Sequence, residues 1–72
     1  MKLFEVPSYS KIRLNGSPLL DFYFVHIDGM YSVCYDKNGN LYHLSASTEN
    51  VEIIKKYPEE QFEKVIQKLR GV

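Results

Sequence analysis

From Lys11 to Leu14 the apolar residues Ile12 and Leu14 alternate with Lys11 and Arg13, the period-two pattern of a short, half-buried strand. Asn15-Gly16 turns that strand. Pro18 lacks a donor for a strand ladder, so Gly16 to Leu19 reads as a loop. Between 21 and 46 two further turn dipeptides, Asp28-Gly29 and Asn38-Gly39, separate β-rich segments and predict a three-stranded meander.

Two-residue hairpins at both dipeptides set Phe24 opposite Val33 and Phe22 opposite Tyr35, then Tyr35 opposite Tyr42 and Val33 opposite Leu44. The two registers agree on one face, made of Phe22, Phe24, His26, Tyr31, Val33, Tyr35, Tyr42, Leu44 and Ala46, which is the expected core. The other face carries Tyr23, Val25, Ile27, Met30, Ser32, Cys34, Asp36, Leu41, His43 and Ser45. It is too mixed for a second core and too apolar to stay bare.

A small polar connector over 45–50 leads to a last short strand at about 51–54. Pro58 at the first helical position, Glu59 and Glu60 in the first turn and Lys64, Lys68 and Arg70 later predict a helix over about 58–70. Its apolar stripe is Phe62, Val65, Ile66 and Leu69. So short a helix is marginal alone in water and is expected to dock on its own sheet. The fold expected is therefore a β-rich α+β domain: an SH3-like, strongly curved antiparallel sheet of about five strands with a C-terminal helix.

Seventy-two residues support one domain, spanning 1–72. With 44% hydrophobic and 14% aromatic residues, a compact core needs no disulfide or metal staple. Nine basic and nine acidic residues cancel, so no global field steers the chain toward nucleic acid or an anionic membrane. The single Cys34 has no intramolecular partner, and no basic-then-apolar leader is seen; a reducing cytoplasm is the expected location. The longest apolar run, Phe22 to Ile27, is interrupted by His26 and is too short to span a bilayer.

The expected register puts Cys34 opposite His43 with Tyr23 on its other side, a thiol, an imidazole and a phenol in a row. A catalytic thiol needs such a base, but also an oxyanion hole and an orienting group, for which the chain shows no motif. Cys34, His43 and Asp36 lack any CxxC or HxxxH spacing, so neither a metal nor another cofactor is expected. His26 reads as a hydrogen-bonded core histidine. The lysines of the helix interleave with Glu59, Glu60 and Glu63, as on a solvated face.

The stretch Phe24-Val25-His26-Ile27-Asp28-Gly29-Met30-Tyr31-Ser32-Val33-Cys34, followed by His43-Leu44-Ser45-Ala46-Ser47-Thr48, resembles short uncharacterised proteins of tailed bacteriophages and prophages. The resemblance covers about a third of the chain and carries over no functional residue. It implies a protein acting in the host cytoplasm by binding a host or phage macromolecule.

These readings favour a small non-enzymatic interaction module that binds a protein or pairs with itself, with Tyr23, Met30, Cys34, His43 and Phe62 as candidate contact residues. The alternative is a small barrel binding single-stranded nucleic acid through Tyr9, Tyr23 and Tyr57 beside Lys11, Arg13, Lys55 and Lys56. Neutral net charge weighs against the alternative.

Overall fold

A computed structural model describes residues 1–71. After a 3-10 turn at Leu3–Glu5 the chain forms β1 (Ser10–Leu14), β2 (Ser17–Asp28), β3 (Tyr31–Asp36), β4 (Leu41–Tyr42), β5 (Val51–Lys56) and helix α1 (Glu59–Leu69). The five strands make one antiparallel sheet in the order β4-β3-β2-β1-β5. Among the described residues the sheet is not closed into a barrel.

Asn15 and Gly16 both take positive φ, 52° and 68°, and close a two-residue hairpin in which Leu14 faces Ser17. Here the Asn-Gly dipeptide does what its residue types favour. The expected loop over Gly16 to Leu19 is corrected: β2 begins at Ser17, and Pro18, Leu19 and Leu20 bulge out between the pairs Leu14/Ser17 and Arg13/Asp21. A proline fits there because a bulged residue needs no ladder donor.

The other two hairpins are each out of the expected register. Asp28 pairs with Tyr31, so the first loop is Gly29-Met30, with positive φ at Gly29 alone. That pattern suits a turn needing glycine only at its first central position, and leaves Asp28 in the strand. The second loop has three residues, Lys37 to Gly39, because the Asp36 carboxylate accepts the backbone N–H groups of Asn38 and Asn40, both at 2.9 Å. Gly39, at φ 82°, then supplies the left-handed residue that ends such a loop.

A bulge in β2 adds to these shifts. Phe24 pairs with Cys34 but His26 with Val33, leaving Val25 as the extra residue. The expected core face is therefore broken up. Phe22, Phe24 and Leu44 remain on it, joined by Ile27, Ser32 and Cys34, while His26 and Tyr31 are exposed and Val33 and Tyr35 are only half-buried.

Ile12, Leu14, Phe22, Phe24, Cys34 and Val51 form the centre of the core. Leu3 and Val6 cover it from the N-terminal segment, an element the hydrophobic pattern did not single out. That segment lies between β5 and the chain following β4: Leu3 N–H donates to the Thr48 carbonyl at 2.9 Å, Phe4 N–H to Ala46 at 3.0 Å, and Val51 N–H to Met1 at 3.0 Å. It thus covers an apolar face that the open sheet leaves uncovered.

Helix α1 covers the opposite face. Pro58 is its N-cap rather than its first helical residue, with its carbonyl accepting Phe62 N–H at 2.9 Å. Phe62 is buried, and Val65, Ile66 and Leu69 are half-buried, so the expected stripe does turn toward the protein. β5 runs two residues beyond the expected 51–54, through Lys55 and Lys56.

Candidate functional site

Phe62 enters a cluster of three tyrosines on the helix-covered face. Its ring centroid lies 5.5 Å from that of Tyr9, 6.3 Å from Tyr23 and 6.0 Å from Tyr57, all in tilted or edge-on arrangements. Such geometries are favoured by the ring quadrupoles and anchor the first turn of α1.

Tyr9 holds this cluster to the sheet. Its backbone is in the left-handed region at φ 67°, costly for a residue with a Cβ, and it is held there from several directions. Its N–H is shared between the carbonyls of Phe24 and Val25, at the β2 bulge, and its own carbonyl accepts Tyr57 N–H at 2.9 Å. The nearby carboxylate of Glu59, and then that of Glu63, pushes the pKa of its hydroxyl above the usual tyrosine value.

Beyond Phe62 the helix and sheet diverge. An open groove of about 310 Å³ lies between them, walled by Tyr9, Val25 and Tyr35 on the sheet side and by Phe62, Glu63, Ile66 and Gln67 on the helix. The far end of α1 returns to the sheet at the β3–β4 loop, where the Leu69 carbonyl lies so near Gly39 that a Cβ there would sit 2.5 Å from it. The Arg70 guanidinium stands 5.6 Å from the centroid of the Tyr35 ring.

The row of thiol, imidazole and phenol expected from the sequence does not form. Cys34 pairs with Phe24 and Tyr42, points into the core and is fully buried. Its Sγ is 3.3 Å from the Ser32 hydroxyl, which donates to the Leu44 carbonyl at 2.9 Å and so is free to accept the thiol proton. Burial pushes the Cys34 thiol up to about 11. His43 follows β4 and is bonded through Nδ1 to the Ser32 carbonyl at 3.0 Å, which requires the proton on that nitrogen. The physical reason is the one-residue shift of the second hairpin, which hands Cys34's partner position to Tyr42.

No protein-family model, curated protein or solved structure matches the chain.

Of the five residues singled out by sequence, Tyr23 and Phe62 are brought together. Met30 is 80% exposed at the tip of the β2–β3 hairpin and contributes to no hollow described above. Cys34 is on the other face of the sheet. Tyr35, a groove residue, escapes the sequence reading because the slipped register puts it in the core; the pattern places Val25 on the face of Tyr23, where it lies, but does not single it out, and Tyr9's backbone conformation has no sequence signal at all.

Most of the nucleic-acid set lies on this face, while Lys56 pairs with the buried Ser10 and reaches the Ser8 carbonyl. Lys11 Nζ lies 5.6 Å from the centre of the Tyr23 ring and Lys55 Nζ 4.8 Å from that of Tyr57, while Arg13 is committed to Asp21 through bonds of 2.8 and 3.0 Å. The rings of Tyr9, Tyr23 and Tyr57 already pack on Phe62. Among the described residues, no group of three or more His, Cys, Asp or Glu is placed to hold a metal, and no helix is long and apolar enough to cross a membrane.

Proposed function

We propose that this chain is a small non-enzymatic interaction module that binds a protein partner in the groove between α1 and the sheet. The observation that carries this reading is the groove itself: an open hollow of about 310 Å³ with two tyrosines, a phenylalanine, a valine and an isoleucine in its walls. Aromatic-rich concavities of this kind are where partner side chains anchor.

Strand addition is a poorer mode for this molecule. β4 has two residues, and β5 carries a bulge at Ile54, lysines at 55 and 56, and a first N–H already bonded to Met1. These are the devices that blunt a sheet edge. Contact through side chains in the groove is the mode that remains.

The buried Cys34 thiol, held protonated, and a His43 tied to a backbone carbonyl support the non-enzymatic part of the reading. The strand order, with β5 beside β1 at the far side of a β2-β3-β4 meander, together with three ladder irregularities that bend the sheet, supports an SH3-like small barrel left open. With the resemblance of residues 24–34 and 43–48 to short phage proteins, we place the module in the host cytoplasm as an accessory protein of a phage or prophage.

The test is affinity purification from the native cell with tagged wild type, Ile66→Ser in the groove and Met30→Ser on the opposite hairpin tip. A partner retained by wild type and Met30→Ser but lost by Ile66→Ser supports the reading, provided the variant's thermal melt shows it folded. A partner indifferent to Ile66→Ser refutes it.

A further inference from the structure

The groove has a charge pattern as well as a shape. Glu63 lines the groove together with Tyr9, and Glu59 lies one turn before it on α1. Among the described residues neither is in an ion pair; the salt bridge present joins Arg13 to Asp21. At the other end, two turns further along the helix, Arg70 rests over Tyr35. The sheet wall therefore already holds a cation against a tyrosine at its basic end. At the acidic end the groove is lined by Tyr9 and Glu63, and no lysine or arginine is among its lining residues.

We propose that the acidic end of this groove receives a basic side chain, arginine or lysine, projecting from the partner protein. The aliphatic stem packs on Val25 and Ile66, and the cation lies between the Tyr9 ring and the Glu63 carboxylate. Long basic side chains are built for such a place, with an apolar stem that is buried and a charged head that stays wet. A cation near an aromatic face and a carboxylate is attracted by both. This inference rests on the reading of the groove as the contact surface, and names the chemistry of what fills it.

The experiment is an NMR titration of the full chain, following backbone amides, with acetyl-Ala-Arg-Ala-amide and with the same peptide carrying norleucine in place of arginine. Saturable shifts at Tyr9, Val25, Tyr35, Glu63 and Ile66 are expected with the arginine peptide, at an affinity about fivefold above that of the norleucine peptide. Glu63→Gln should weaken the arginine peptide about fivefold and leave the norleucine peptide unchanged.

Equal binding of the two peptides at the groove overturns the proposal but leaves the groove as a contact surface. Shifts that depend on protein concentration alone, at the same residues, mean that a second copy occupies it and also overturn the proposal. If neither peptide nor concentration moves these amides, the basic occupant and the groove as contact surface fall together.

Discussion

The Tyr9 and Phe62 rings meet with their centroids 5.5 Å apart and their planes inclined at 56°, joining a strained residue before β1 to the first turn of α1. Because Tyr9 also binds the β2 bulge and the end of β5 through its backbone, this contact ties the helix to three strands at once.

Removing Phe62 should therefore be the costliest change on the helix. Phe62→Ala is expected to lose about 3–5 kcal/mol, and Phe62→Leu only about 1 kcal/mol, in urea denaturation. Deleting 58–72 should unfold or aggregate the protein, since it bares Tyr9, Tyr23 and Tyr57 together. A truncated chain with unchanged thermal stability would show that α1 is not part of the fold's support.

Cys34 should be chemically silent in the native state. Its folded pKa of about 11 lies above the ordinary thiol value of 9.0, so the thiol is protonated throughout the neutral range. Alkylation by iodoacetamide at pH 8 should proceed only as fast as the protein opens, and should speed up in urea. The linkage has a definite sign: folding favours the neutral thiol, so this contribution is complete below pH 9 and is lost as pH rises from 9 toward 11. Cys34→Ala should flatten that alkaline decline in a stability-against-pH series.

Two loop glycines make a matched pair. At Gly29, φ is 65° and an added Cβ meets nothing within 4 Å, so Gly29→Ala should cost only the left-handed penalty of about 1–2 kcal/mol. At Gly39 a Cβ would also press on the Leu69 carbonyl at 2.5 Å, which is backbone and cannot swing aside. Gly39→Ala should be clearly worse than Gly29→Ala in thermal melts, and equal losses would contradict the closeness of α1's last turn to the β3–β4 loop.

Acid should weaken the Arg13–Asp21 pair. The guanidinium of Arg13 holds the Asp21 carboxyl below its ordinary 3.8, against the opposing effect of burial. A lowered folded pKa means stability present above 3.8 and lost as pH falls through that value toward the folded one. Asp21→Asn should destabilise by about 0.5–1 kcal/mol at pH 7. The difference from wild type should shrink toward pH 2, and a gap that stays constant with pH would remove the charge from the explanation.

The resemblance of local patterns to the final elements is uneven, and the reasons are local too. Ile12 and Leu14 alternate on a strand that is buried on one side, so their period survives into the fold. The helix stripe of Phe62, Val65, Ile66 and Leu69 does so for the same reason. Asp28-Gly29 and Asn38-Gly39 are each compatible with more than one turn, and the choice between them moves every pair behind it. At 36–40 the choice lies with the Asp36 carboxylate, whose two backbone bonds favour the longer loop.

From the sequence alone came the five-strand count, the meander, the turn at Asn15-Gly16 and a docked amphipathic helix, because alternation, caps and turn residues act over a few neighbours. Tertiary structure alone decided the two shifted registers, the Val25 bulge, the cover supplied by Leu3 and Val6, and the groove beside Tyr9. These depend on which distant groups find one another once the sheet bends. A period-two pattern cannot count the extra residue in a bulge, and one uncounted residue exchanges the faces of everything that follows.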